Sequence, residues 1–316
     1  MSQYGFWINC SLYNYTTDEI DIIVSKYREI WAERVRWEFD FFRKEENEVE
    51  WYAIKQFSKY NIKILWMIWG IIPGNLTNLI FPKLYFTPIL YTTDLFLSFV
   101  ERKVWWYKDY ITHRQLRNEP NTMRFWITQP NAKDYVSLVK IMSDTIKNIQ
   151  PHAMIVIWWI FYDNAQKFLP SYDKYFLQKC LDIGIDDYID IYAIHPYNIW
   201  CYIWNKSVSD IISITIDYII SFRNNHDIIK HKPLRGTEFG ISDKWTTLSW
   251  KEQSSIYHHL FNRLQKENIP LFLWNIMDFK DKRYSRWNPE KYFWLLDQDF
   301  KPKIVFYEFK KLLEKK

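Results

Sequence analysis

The chain has 316 residues and a mass of 39.2 kDa, with 48% hydrophobic and 25% charged residues. That composition excludes a disordered, collagen-like or disulfide-only protein and provides for a sizeable core. The net charge of +5 arises from Lys and Arg interleaved with Asp and Glu, apart from a Lys-rich terminal helix, so no nucleic-acid partner is expected.

From the N-terminus onward, short apolar runs alternate with longer amphipathic ones. The opening MSQYGFWINC lacks a basic region followed by an apolar one, so no signal peptide is expected. The expected location is the cytoplasm, with secretion or envelope association as the alternative. Strands are predicted at 4–9, 34–39, 62–68, 111–117, 153–157, 189–194, 233–238 and 270–275. Helices are predicted at 17–30, 48–60, 93–107, 134–148, 172–183, 208–224, 250–267 and 302–315. The acidic run 45–50 is expected to lie in solvent at the positive end of the second helix. Gly184 reads as a helix C-terminal cap. The most apolar stretch, 61–74, holds Lys63 and is too short to span a bilayer, so no membrane span is expected.

Strict alternation of strand and helix predicts parallel strands joined by right-handed crossovers. The expected fold is therefore α/β, a single (β/α)8 TIM barrel forming one domain over 1–316, with an open doubly wound sheet as the alternative. No GxGxxG or GxxxxGK[ST] follows a strand, which removes the usual nucleotide-binding reasons for the open sheet. Cys10, Cys180 and Cys201 are odd in number and widely spaced, which indicates neither a disulfide framework nor zinc, and buried free thiols are expected. The adjacent His258 and His259 fall mid-helix and point different ways, against a metal site.

In such a barrel, polar residues just beyond the C-terminal strand ends are placed to act on a ligand. Strand two ends in Arg36-Trp37-Glu38; strand four runs into Asn118-Glu119-Pro120-Asn121; strand six into His195-Pro196-Tyr197; strand seven into Thr237-Glu238-Phe239-Gly240; strand eight into Trp274-Asn275. Glu119 and Glu238 would face each other across the mouth. Paired carboxylates are what glycosidic bond cleavage needs, one to protonate the leaving oxygen and the other to attack the anomeric carbon or activate water. Each motif alone also has a structural reading: a loop start, a packed corner, a surface ion pair. Their order and placement together carry the functional one.

These motifs resemble the glycoside hydrolases of clan A. Asn118-Glu119-Pro120-Asn121 followed by Phe125-Trp126 looks most like family 39, with the family 5 cellulases close by. Ile68-Trp69-Gly70 departs from family 5, which often has a His at that strand end. The resemblance implies a retaining double displacement on a β-linked oligo- or polysaccharide, with no metal or organic cofactor. Glu119 would be the general acid/base and Glu238 the nucleophile. It further implies that Asn118 donates to the sugar 2-hydroxyl, that Arg36 and Tyr197 hold the nucleophile ionised, and that His195 borders the acid/base. Trp274 would lie beneath the sugar and Trp126 would line the cleft. A clan member that binds glycans without cleaving them is the alternative, and a different barrel enzyme with His195 as base is a third reading.

The chain has 18 Trp against 6 Gly and 6 Ala. Indole rings serve as sugar platforms, yet Trp31, Trp66, Trp69, Trp158, Trp159 and Trp294 fall at turns and strand ends where glycine is the usual solution. Trp and Gly together make up about 7.6% of the chain, near the ordinary combined share. The pattern fits a source that decodes UGA as Gly, with those codons read here as Trp; a Trp-rich protein is the alternative. Recoding predicts strained or overpacked sites at these positions.

Overall fold

A computed structural model describes residues 6–10, 15–40, 48–69, 93–122, 126, 129–161, 173, 175–195, 207–225, 231–241, 248–273, 275–276 and 295–314. The first half runs β1 (Phe6–Cys10), α1 (Thr17–Glu29), β2 (Ala32–Asp40), α2 (Glu48–Lys59), β3 (Lys63–Trp69), α3 (Thr93–Tyr107) and β4 (His113–Leu116). It continues as α4 (Ala132–Ile149), β5 (Met154–Phe161), α5 (Phe176–Asp182), a 3-10 turn (Ile185–Tyr188) and β6 (Ile191–His195). The chain then forms α6 (Val208–Asn224), β7 (Leu234–Gly236), α7 (Trp250–Lys266), β8 (Phe272–Leu273) and α8 (Ile304–Glu314).

Helix starts follow local chemistry. Thr16, Ser207 and Ser249 form capping boxes with Glu19, Asp210 and Glu252, and Asn131 accepts from the Asp134 amide at the start of α4. Each cap satisfies an otherwise orphaned N–H and contributes about 1 kcal/mol. Gly184 follows the end of α5 at φ +88°, as expected of a terminal cap.

The strands form one eight-stranded sheet in the order β7-β6-β5-β4-β3-β2-β1-β8, and all adjacent pairs are parallel. The outer two strands meet through a parallel bridge between Gly236 and Leu271, where the Gly236 N–H donates to Pro270 O at 2.8 Å. A Cβ at Gly236 would press on Leu271 Cδ1, the end of a side chain that would have to turn aside, while the Leu271 backbone stays at ordinary contact distance. The expected α/β alternation is thus present, with β7 and β8 shorter than their apolar runs.

Alternate strand residues point to opposite faces. One set, including Val35, Trp37, Ile64, Ile155, Ile157 and Tyr192, joins the buried helix faces in the main core. The other set holds a separate cluster of Leu65, Val156, Ile191, Ala193 and Phe272, which marks the sheet's inner face. Fully burying one such aliphatic side chain contributes about 1.5–3 kcal/mol, so the two clusters fix strand register.

Two expectations change here, at Glu50 and at Trp66. Glu50 is buried, paired to Lys103 Nζ at 2.5 Å and to the Tyr107 hydroxyl, so the last residue of the acidic run ties α2 to α3 instead of meeting solvent. Trp31 has φ +50°, the backbone conformation that recoding predicts. Trp66 is instead fully buried in β3, with the Arg114 guanidinium 5.0 Å from its ring centre. The side chains of Trp69, Trp158 and Trp159, and all of Trp294, lie outside the described residues. Cys180 is a buried free thiol, whereas Cys201 and the Cys10 side chain also lie outside them. Among the described residues no helix is long and apolar enough to cross a membrane.

Candidate active site

Four strands carry polar residues to one end of the inner face. β2 supplies Arg36, β4 supplies Gln115 and the turn holding Asn118 and Glu119, β6 ends in His195, and the chain leaving β7 supplies Glu238. All six are buried. The β4 turn is unusual: Arg117 at φ +67° and Glu119 at φ +37° flank Asn118 in the left-handed region. Non-glycine residues held there cost about 1–3 kcal/mol each and persist only when their surroundings over-determine them. Here the Arg117 N–H donates to Ile68 O at 2.9 Å, and the Thr122 N–H and hydroxyl both donate to Glu119 O at 3.1 Å.

Arg36 is the centre of the arrangement. Its NH1 donates to Glu238 Oε1 at 2.7 Å, its Nε to Gln115 Oε1 at 2.8 Å, and its NH2 to Asn118 Oδ1 at 3.0 Å and Met67 Sδ at 2.7 Å. A guanidinium can only donate, so the oxygens of Gln115 and Asn118 must face it, which settles the orientation of both amides. The Asn118 amide nitrogen is thereby turned away from Arg36 as a donor. The Arg36–Glu238 pair is buried on both sides, and removing either partner alone would strand the other charge at about 3–5 kcal/mol.

His195 Nδ1 lies 3.1 Å from Glu119 Oε1 and 3.4 Å from Glu238 Oε2. Burial, with the Arg36 charge second, pushes the ring well below its ordinary ionisation range, so His195 is neutral at working pH. Nδ1 faces both carboxylates, and the tautomer decides whether it donates to them or accepts from a protonated one. Donor atoms of Glu119, His195 and Glu238 all lie within 4.8 Å of one another, the one such group among the described residues with metal-ligand chemistry. The Arg36 cation already occupies Glu238, which opposes adding a dication there.

The structure therefore brings together Arg36, Asn118, Glu119, His195 and Glu238. Trp126 is a correction: it is 2% exposed, packed edge-on to Tyr135 at 5.7 Å beneath the Arg117 guanidinium, and belongs to the core instead of lining a cleft. Its position after Asn118-Glu119-Pro120 placed it near the site, but its ring packs against Tyr135 of α4. Tyr197 and Trp274 lie outside the described residues. Gln115 and Met67 were not anticipated. The available signal was parity, since each shares a strand face with an inward residue, Gln115 with His113 and Met67 with Leu65.

No family model matches the sequence, and no curated protein matches it. Solved structures do match in fold. A family 39 glycoside hydrolase from the gut symbiont Bacteroides cellulosilyticus WH2 is similar at TM-score 0.71 and 17% identity, over 99% of this chain and 64% of that one. An endo-1,4-β-mannanase from Rhizomucor miehei is similar at TM-score 0.63 and 13% identity, over 99% and 95%. An active-site mutant of a Rhizomucor miehei β-1,3-glucanosyltransferase, in complex with laminaritriose, is similar at TM-score 0.60 and 13% identity, over 96% and 97%. The chain thus has a fold found in carbohydrate-active enzymes, and it spans less than two thirds of the first of these structures.

Proposed function

We propose that the chain is a retaining glycoside hydrolase acting on a β-linked oligo- or polysaccharide, built as a single closed (β/α)8 barrel. The observation that carries this reading is the pair of buried carboxylates at the ends of β4 and β7, with a guanidinium bonded to one of them. Two carboxylates sharing a site do not both ionise readily. The Arg36 cation favours the charge on Glu238, which leaves the proton for Glu119. Glu238 then attacks the anomeric carbon while the leaving-group oxygen departs with the proton of Glu119. In the second half Glu119 takes a proton from water, whose oxygen displaces Glu238 and restores both groups.

Carboxyl groups about 5–5.5 Å apart belong to retention, and a water-activating inverting pair needs about 6.5–9.5 Å. Oxygens of Glu119 and Glu238 within 4.8 Å of one another support the first. The orientation of Asn118 supports a donor role toward the sugar 2-hydroxyl, because Arg36 consumes its oxygen. Tyr197 and Trp274 complete the proposed site, as a second support for Glu238 and the surface beneath the sugar. The chemistry requires no metal or organic cofactor.

A panel of aryl β-glycosides, followed by NMR of the first product anomer, tests the reading. Release of the β-anomer is expected, and the α-anomer would overturn retention. Transfer to a sugar acceptor without hydrolysis would redefine the reaction as glycosyl transfer. Glycan affinity with no product over the whole panel would identify a binding protein.

A further inference from the structure

We propose that Gln115 is a positioning residue of this site, one that sets the rotation of the Arg36 guanidinium and so its alignment with Glu238. The inference rests on the glycosidase reading for its kinetic readout only.

The five guanidinium N–H groups lie in one rigid plane, so fixing the Nε–H direction fixes where NH1 and NH2 point. Gln115 Oε1 takes that Nε–H at 2.8 Å, and the Gln115 side chain is fully buried, so it acts through Arg36 and not on a ligand. Its own amide nitrogen reaches back to Arg117 O at 3.5 Å. Gln115 therefore spans the guanidinium on β2 and the strained turn after β4. With Nε held, NH1 is directed at Glu238 and NH2 at Asn118, so a single plane links the proposed nucleophile to the segment carrying the proposed acid/base. Met67 Sδ, the other contact to this guanidinium, is a weak acceptor that cannot define the plane. An apolar residue at 115 would leave a buried charged donor without its acceptor, and the guanidinium would turn to recover one.

The test uses the full chain as Gln115→Leu and Gln115→Glu. The Glu238 carboxyl is titrated by carbon-13 NMR of Glu-labelled protein, its signal identified by its loss in Glu238→Gln, and kcat and KM are measured across pH. For Gln115→Leu the Glu238 midpoint is expected to rise by about one pH unit as the cation moves off line. The acid limb of kcat/KM should follow it, with kcat about tenfold lower and KM little changed. Gln115→Glu keeps an acceptor oxygen in place and is expected to recover most of kcat above its acid limb. A Gln115→Leu protein with lowered Tm but unmoved midpoint and kcat would overturn the proposal, as would a Gln115→Glu kcat no better than that of Gln115→Leu. Should Gln115→Leu fail to fold, Gln115→Met, of equal length, is read in the same way. If the wild-type chain turns over no glycoside, the glycosidase reading fails while the Glu238 midpoint still decides this one.

Discussion

The two ends of the sheet's inner face draw on neighbouring positions of the same strands, yet they hold opposite chemistry. At one end lie Arg36, Gln115, His195 and Glu238; two residues back along β2 and β4 come Arg34 and His113, and Arg235 on β7 comes three residues before Glu238, with the apolar cluster of Leu65, Val156, Ile191, Ala193 and Phe272 in the same interior. Each end contains an inward histidine held neutral. Burial is the first cause in both cases. Arg36 adds to it at His195, while Arg235, Arg34 and Arg114 push His113 down to about 2. The neighbours differ in kind. His113 Nε2 meets Arg235 NH2 at 3.2 Å, and because the guanidinium only donates, Nε2 accepts and the Nδ1 hydrogen turns to Thr112 Oγ1 at 3.0 Å. His195 meets two carboxylates instead. Burial, with guanidinium charge second, therefore keeps both rings neutral, and what distinguishes one end is the pair of carboxylates beside His195.

The sharpest way to break this comparison is to remove charge from each end in turn. Glu238→Gln retains an oxygen to accept from Arg36, so the fold is expected to persist by circular dichroism while turnover falls about 10⁴-fold. Glu119→Ala should lose about 10²- to 10⁴-fold on substrates with poor leaving groups and far less on aryl glycosides with good ones, which need little protonation. His113→Gln, at the other end, should leave kcat/KM within a few-fold on both substrate types. Equal losses at the two ends would erase the distinction.

A second test uses a property that the ends share. A histidine that stays neutral when folded takes up a proton on unfolding below about pH 6.5, so the unfolded chain binds more protons and stability rises with pH there. The stability held above pH 6.5 is lost as pH falls, by about 1.4 kcal/mol per pH unit for each ring, and for His113 this continues towards a pH of about 2. Urea unfolding between pH 5 and 6.5, above the ordinary carboxylate range, isolates the effect. His113→Gln and His195→Gln should each flatten the slope by that amount, worth about 2 kcal/mol over the interval, with no change in slope above pH 7. An unchanged slope in His113→Gln would mean that its ring is protonated, or solvated, when folded.

How much of this was legible in the sequence depends on whether the determinant was local. Strict alternation of apolar runs with capped amphipathic segments carries the element order, because each strand and helix has its own period and start signal. Asn118, Glu119, His195 and Glu238 were legible because they stand at or just beyond strand ends, where position along the chain fixes position in the fold, and Arg36 because it is a charged residue in the middle of the apolar run of β2. Glu50 was not: its partners are on α3, about fifty residues away, and a helix-start acid looks the same whether it meets water or a buried Lys103. Gln115 was hidden for the same reason, since its role exists only through Arg36 on another strand. Trp126 was misplaced because a motif gives sequence neighbourhood and not the partner a ring packs against, here Tyr135 on α4.

The smallest effect sharpens the view of the end away from the carboxylates, where change should alter stability and leave turnover alone. Trp31 joins α1 to β2 there. It is 55% exposed at φ +50°, with its N–H donating to Arg28 O at 3.1 Å, so the indole contributes little packing while the backbone bears the left-handed penalty. That penalty is about 1–2 kcal/mol for an L-residue. Glycine removes it without disturbing the hydrogen bond, and returns about 0.5–1 kcal/mol through the greater freedom of the unfolded chain. Trp31→Gly is therefore expected to stabilise the fold by about 0.5–1 kcal/mol, a rise in Tm of a few degrees at most for a chain of this size, with kcat/KM unchanged. Trp66, buried in an extended strand, has no such conformation to relieve. If the codon for Trp31 is UGA, the glycine variant is the native residue and the gain is what selection already holds; if it is UGG, recoding fails at its best-supported position, while the predicted gain still stands on the backbone geometry alone.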